Sequence, residues 1–274
     1  MMASSSPPPP SLGIVRLWRI EQAKLFRMRS FWIISGLYLL LIPLLHQFFI
    51  NSVVQVGEQE IQAAQFFALS GVALWEFMMF TGSYGVYLFV LLLLSYTNQE
   101  REQGLWRQYV SEGMPRADLV SGKALLVVAL STLATGILVA GWAGITLAAG
   151  AGAPALTTIL TDMFCYGLYF AGFLSLAFTL NLFVRRTSLS FILVLLWGLV
   201  LESIIRWLDP SSLTQWLPVY AFNGLISNPL QALLDGGSAA AGGGERVQPV
   251  LKSIAWTLSG LVLSYIITQR RDLS

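Results

Sequence analysis

Six stretches of about twenty residues, almost free of charge, follow one another along this chain and limit its fold more than any other feature. Crossing the ~30 Å hydrocarbon core of a bilayer takes about 20 apolar residues in a helix. No water is present there to satisfy backbone N–H and C=O groups, so each crossing segment must bond to itself. The stretches fall at about residues 31–50, 80–96, 124–148, 163–184, 189–208 and 250–269. Composition agrees: 55% of residues are hydrophobic and 11% charged, where a soluble domain carries about 25% charged residues. The reading is an all-α membrane protein of six spans. An apolar run at residues 61–79, interrupted by Glu76, is expected to lie at the interface or to extend span two outward, with a re-entrant dip as the remaining option.

Basic residues set the orientation, since Lys and Arg favour the cytoplasmic side. Arg16, Arg19, Lys24, Arg27 and Arg29 precede span one, and Arg101, Arg107, Arg116 and Lys123 lie between spans two and three. Arg185 and Arg186 join spans four and five, while Arg270 and Arg271 follow span six. Thirteen of the sixteen basic residues therefore share one face, which predicts both termini in the cytoplasm. Arg206, Arg246 and Lys252 are the exceptions, among the acids of the opposite loops. A net charge of +2 gives no reason to expect nucleic acid. The lone Cys165 sits in an apolar run and reads as a small buried hydrophobe.

Four segments lie outside the spans. Residues 1–11, with four successive prolines, read as a disordered leader without the apolar core of a cleavable signal. Residues 12–29 form an amphipathic helix that lies in the interface and touches membrane lipids, with Ile14, Leu17, Trp18, Leu25 and Met28 on one face and Arg16, Arg19 and Arg27 on the other. Glu21 stands at the edge of the apolar face, within a turn of Lys24. The loop at residues 99–122 carries Leu105, Trp106, Tyr109, Val110 and Met114 in a short helix stopped by Gly113 and Pro115, either a docking surface or a plain interfacial helix. The loop at 209–249 holds aromatics and prolines and then a Gly/Ala tract.

The ordered set of Glu100, Gly104, the run 105–110, Pro115–Arg116 and Lys123 resembles the loop of ABC-2-type exporter permeases, in the bacterial, Bacteroidota-like variant. Glu21, Lys24 and Arg27, followed by Phe31–Trp32–Ile33, are similar to the family's elbow helix and first span, and residues 30–274 to its six-span domain. Leu105 stands where the family has Thr. The resemblance implies a permease in the bacterial inner membrane, paired with a second, identical or related permease and with separate ATP-binding subunits that carry ATP and Mg. The loop helix would be the coupling helix. Glu100 is expected to pair with Arg101 or with a base on the partner, while Trp106 and Tyr109 fill an apolar cleft there. No GxxxxGK[ST] loop is present, so no cofactor is expected on this chain.

Ionisable residues within spans are functional candidates by default. His46 reads as the polar outer end of span one, and Glu202 with Arg206 as an i,i+4 ion pair, a proton site and a substrate contact being the alternatives. An intramembrane enzyme would need grouped nucleophile and base, or clustered metal ligands, and the spans offer isolated ones. A scaffold or sensor without transport is the other rival.

Overall fold

The computed structural model describes residues 13–50, 53–56, 59–62, 71–149, 153–208, 212–228 and 246–270. The leader at 1–11, the Gly/Ala tract of the 209–249 loop and the last four residues lie outside them.

Helix α1 (Ile14–Arg27) stops at Met28, whose backbone is extended, and α2 (Arg29–Ile50) leaves at 78° to it. Leu17, Glu21 and Leu25 point into the protein at a spacing of four, whereas Ile14, expected on the same face, is exposed. A two-stranded antiparallel ladder pairs Val53–Val56 with Gln59–Gln62. Helix α3 (Gly71–Ser83) and α4 (Val86–Glu102) are separated only by a turn at Tyr84 and Gly85, and together form one span-length stretch, Leu74–Glu102. Residues 71–79 thus extend span two, one of the two expected options for 61–79; residues 59–62 are extended, and 63–70 are outside the described residues.

The short helix α5 (Leu105–Ser111) sits between two left-handed glycines, Gly104 (φ 70°) and Gly113 (φ 94°), conformations that cost glycine least. Helix α6 (Arg116–Ala149) starts directly after Pro115, eight residues before the expected span. Its 34 residues make a rod of about 51 Å, longer than the hydrocarbon core. The polar turns at 116–123 continue the helix because its backbone bonds are indifferent to side-chain charge. Helix α7 (Leu156–Val184) ends at Arg185 in a left-handed turn. Helix α8 (Thr187–Leu196), a π-helical turn (Trp197–Leu201) and α9 (Glu202–Leu208) run on as one 22-residue stretch. A 3₁₀ turn (Ser212–Trp216), α10 (Pro218–Asn223) and α11 (Val247–Arg270) complete the described chain.

Among the described residues, five helices are long and apolar enough to cross a membrane, six if the bent pair α1–α2 counts as one. Helix α7 is central, packed by α3, α4, α6, α8, α10 and α11. In the 18 most apolar residues of Leu74–Glu102 and of Leu156–Val184, 72% and 61% are buried, whereas in those of Thr187–Leu208 and Val247–Arg270 17% are, and these two helices form the rim. An aromatic core joins Tyr38, Phe89, Tyr166 and Phe170, with neighbouring ring centroids 4.9–5.6 Å apart. The Tyr38 hydroxyl donates to the Gly82 carbonyl at 3.2 Å and meets the Tyr166 hydroxyl. A methyl group at Gly85 would overlap the Tyr38 ring, so the close approach of α2 to this turn depends on glycine there. On the rim, Thr179 reaches the Gly260 carbonyl at 2.9 Å and Ser264 at 3.0 Å, a small-residue contact of the kind that lets membrane helices approach closely.

Candidate functional site

Four charges and three aromatic rings from α1, α4, α5 and α6 converge at one end of the bundle. Lys123 of α6 is 1% exposed, and its ammonium lies 3.1 Å from Glu21 and 2.5 Å from Glu100. Lys24, more open, reaches Glu100 at 3.1 Å and Glu21 at 3.5 Å. Two cations and two anions cancel, which is the condition for placing them away from water. Tyr96 donates to Glu21 at 2.6 Å, and the Trp106 indole donates to Glu100 at 3.3 Å. The Lys123 and Lys24 ammoniums also stand over the Tyr96 and Tyr109 rings, at 4.4 and 4.8 Å.

Helical spacing builds this cluster. Glu21 and Lys24 share a face of α1 as an i,i+3 pair, and Tyr96 and Glu100 share a face of α4 at i,i+4. Trp106 and Tyr109 share the inner face of α5. Gly122 lets α6 pass close beneath α1: a Cβ there would already stand 3.4 Å from the Glu21 carboxylate. Burial works against the charge on Lys24, yet Glu21 and Glu100 outweigh it and hold that ammonium well above its ordinary value.

Several expectations change here. Glu100 pairs with Lys24 and Lys123, not with Arg101, because Arg101 is its immediate helical neighbour and points away; the Arg101 guanidinium lies over the Trp106 ring at 4.9 Å. Trp106, expected to project toward a partner, is 4% exposed and anchored within its own chain, with Tyr109 half-buried beside it. The outward residues of α5 are Arg107, Gln108, Ser111 and Glu112, with Leu105 and Val110 half-buried at its edges. Arg116 donates to the Gln269 carbonyl at 3.0 Å, tying the loop to the end of α11. Arg27 is exposed.

Three further polar centres are present. Asn98 is buried with Asn181: its amide donates to the Asn181 side-chain oxygen at 2.9 Å and to Thr187 at 2.8 Å, and Ser190 donates to the same oxygen at 3.2 Å. This knot joins α4, α7 and α8. At the other end, Asp162 accepts from the Trp75 indole at 2.8 Å and pairs with Arg246. Glu202 is not paired with Arg206. Its carboxylate accepts from the Val219 and Tyr220 amides, at 2.9 and 2.8 Å, and from the Trp197 indole at 2.8 Å. The freed amides that open α10 are fixed donors, and they take the carboxylate in preference to a mobile guanidinium. Arg206 lies over the Tyr220 ring at 4.7 Å. The backbone of His46 belongs to α2, and its side chain lies outside the described atoms.

Among the described residues no three His, Cys, Asp or Glu side chains are grouped so as to hold a metal ion. No family model matches the chain, and no curated protein matches it.

Proposed function

We propose that this chain is the membrane subunit of an ATP-driven exporter of the ABC-2 permease type, in a bacterial inner membrane with both termini cytoplasmic. The observation that carries the reading is the buried four-charge cluster. It clamps an amphipathic helix (α1) and a short loop helix (α5) to two long helices (α4 and α6) at the end richest in basic residues. A loop that merely joined α4 to α6 would not need two buried ion pairs. A loop that must transmit force does, because any give between α5 and its neighbours would be lost as motion.

In this reading α1 is the elbow helix and α5 the coupling helix. The first span is α2, bent away from α1, and the bundle has six spans. A separate ATP-binding subunit, holding ATP and Mg, meets the exposed polar face at Arg107, Gln108, Ser111 and Glu112. Trp106 and Glu100 act from behind that face, turning a push on α5 into a tilt of α4 and α6. A second permease, identical or related, completes the pathway.

The test is co-purification with the ATP-binding protein encoded beside this chain. Gln108→Ala/Glu112→Ala alters only an exposed hydrogen-bonded pair; it is expected to release the ATPase without lowering the melting temperature. Trp106→Ala is expected to lower both. If the native chain never retains an ATPase, the transport reading fails and a membrane scaffold or sensor takes its place.

A further inference from the structure

A cavity of about 590 Å3 opens between the α3–α4 turn, α7, the π-helical turn, α9, α10 and the start of α11. That volume lies within the ordinary range for small-molecule sites. Its wall carries four tyrosines, Tyr84, Tyr87, Tyr169 and Tyr220, and two cations, Arg206 and Lys252. Among the described residues no carboxylate lines it, and neither cation has an acidic partner within salt-bridge distance. Both rest on aromatic faces instead, Arg206 on Tyr220 at 4.7 Å and Lys252 on Trp216 at 5.1 Å. Glu202, one turn before Arg206, spends its oxygens on the amides of α10 and on Trp197.

Backbone features shape this wall. Gly198, within the π-helical turn, lines the cavity, and a Cβ there would come within 2.8 Å of the Tyr87 hydroxyl. π turns inside helices are frequent at functional sites. Leu199, Ser203 and Arg206 face the cavity along one side of the helix, at the spacing of successive turns. Beside them Leu196, Val200 and Ile204 are exposed and apolar. The cavity therefore combines a cationic, hydroxyl-rich interior with an apolar flank on a helix long and apolar enough to cross a membrane.

We propose that this cavity binds the anionic headgroup of an acidic amphiphile, held by Arg206, Lys252 and the tyrosine hydroxyls, with its acyl part running along Leu199 and its exposed apolar neighbours. Two cations with no acidic partner among the described residues, in a half-enclosed site, favour an anion, and the flank favours one that carries a hydrocarbon chain. The cavity has room for a headgroup and its linking glycerol, while the chains stay in the surrounding lipid. This assignment does not rest on the transport reading. It concerns the opposite end of α4, since Tyr87 and Glu100 are thirteen residues, or about 20 Å, apart along that helix.

The experiment is native mass spectrometry of the full chain released from nanodiscs of equal parts phosphatidylcholine and phosphatidylglycerol, repeated with inorganic phosphate added. The expected result is retained phosphatidylglycerol at least fivefold over phosphatidylcholine. Arg206→Gln/Lys252→Gln is expected to abolish the preference, and the charge-conserving Arg206→Lys/Lys252→Arg to keep it, both with a native melting temperature. Displacement by millimolar phosphate alone would assign the anion site to a free anion and overturn the amphiphile. An undiminished preference in the Gln variant, or no preference in the native chain, overturns the site altogether. Should the Gln variant misfold, the native chain and the charge-conserving variant decide the question.

Discussion

Replacing Lys123 by Met tests whether the four-charge cluster holds α1, α4, α5 and α6 together. Met keeps most of the volume and removes the charge, leaving Glu21 and Glu100 to share Lys24. Lys123 has 2% of its side chain exposed and contacts both carboxylates, so solvent cannot replace it. Removing one partner of a buried ion pair costs about 3–5 kcal/mol, mostly because the other charge is stranded. For a chain of this size that is a fall in melting temperature of about 6–20 °C. Lys24→Met should cost far less, about 1 kcal/mol, since that side chain is 28% exposed and its pairs are partly screened. The decisive variant is the double one. Lys123→Met leaves the cluster with a net charge of −1, and adding Glu21→Gln returns it to neutrality with Lys24 and Glu100 still paired. The two changes are therefore expected to be non-additive, the second restoring half or more of what the first removes. The assay is thermal unfolding in detergent, followed by tryptophan fluorescence and by survival of the monodisperse peak. If Lys123→Met melts within about 2 °C of the native chain, or if Glu21→Gln makes it worse, the charges are not a clamp and the physical argument for a force-bearing loop falls with them.

Two further substitutions probe the other end of the bundle. Glu202→Gln offers one acceptor oxygen to three donors, so at least one of the Val219 and Tyr220 amides or the Trp197 indole loses its partner, at about 1–3 kcal/mol. Hydrogen exchange should show the Val219 and Tyr220 amides opening roughly tenfold to a hundredfold faster; unchanged protection would mean the carboxylate does not cap α10. Gly172→Ala would drive a methyl into the Phe222 ring, which is buried, and should cost about 1–3 kcal/mol by overpacking. Phe222→Leu in the same chain should recover part of that loss, and a Gly172→Ala variant as stable as the native chain would place α10 elsewhere.

What was legible in the sequence was what depends on one helix at a time. Hydropathy located the long helices because each must satisfy its own backbone, and i,i+3 spacing placed Glu21 beside Lys24. The ends of helices were harder. The α6 helix runs eight residues further toward its start than its apolar stretch, since nothing in Asp118 or Lys123 breaks a helix once their charges are paired or exposed. Glu100 and Lys123 could each be singled out, but their meeting with Glu21 spans 102 residues of sequence between α1 and α6 and has no periodic signature. The pattern at 105–110 showed that Trp106 and Tyr109 share a face. It did not show whether that face meets a partner or the chain itself, and the answer turned on the Glu100 carboxylate waiting behind it. Glu202 and Arg206 had the right spacing for an ion pair, yet the competing donors came from Val219 and Tyr220, across a turn that no local rule connects.

The π-helical turn was equally invisible, because Trp197–Leu201 is as apolar as the α-helical residues around it. Its consequence is geometric. A π turn holds one extra residue, which rotates everything after it, so that Glu202 faces α10 while Ser203 and Arg206 face the cavity. Helix α4 then links the two polar ends of the molecule in a single rigid piece. Tyr96 and Glu100 sit in the charge cluster, Asn98 is knotted to α7 and α8, and Tyr87 stands on the cavity wall with its hydroxyl against Gly198. No residue between Val86 and Glu102 is a glycine or proline, so α4 has no internal hinge, whereas the turn at Tyr84 and Gly85 lies directly at its start. A force applied to α5 therefore has a direct route away from the cluster along this helix. It ends at the turn beside the cavity, where the tyrosines, Arg206 and Lys252 stand.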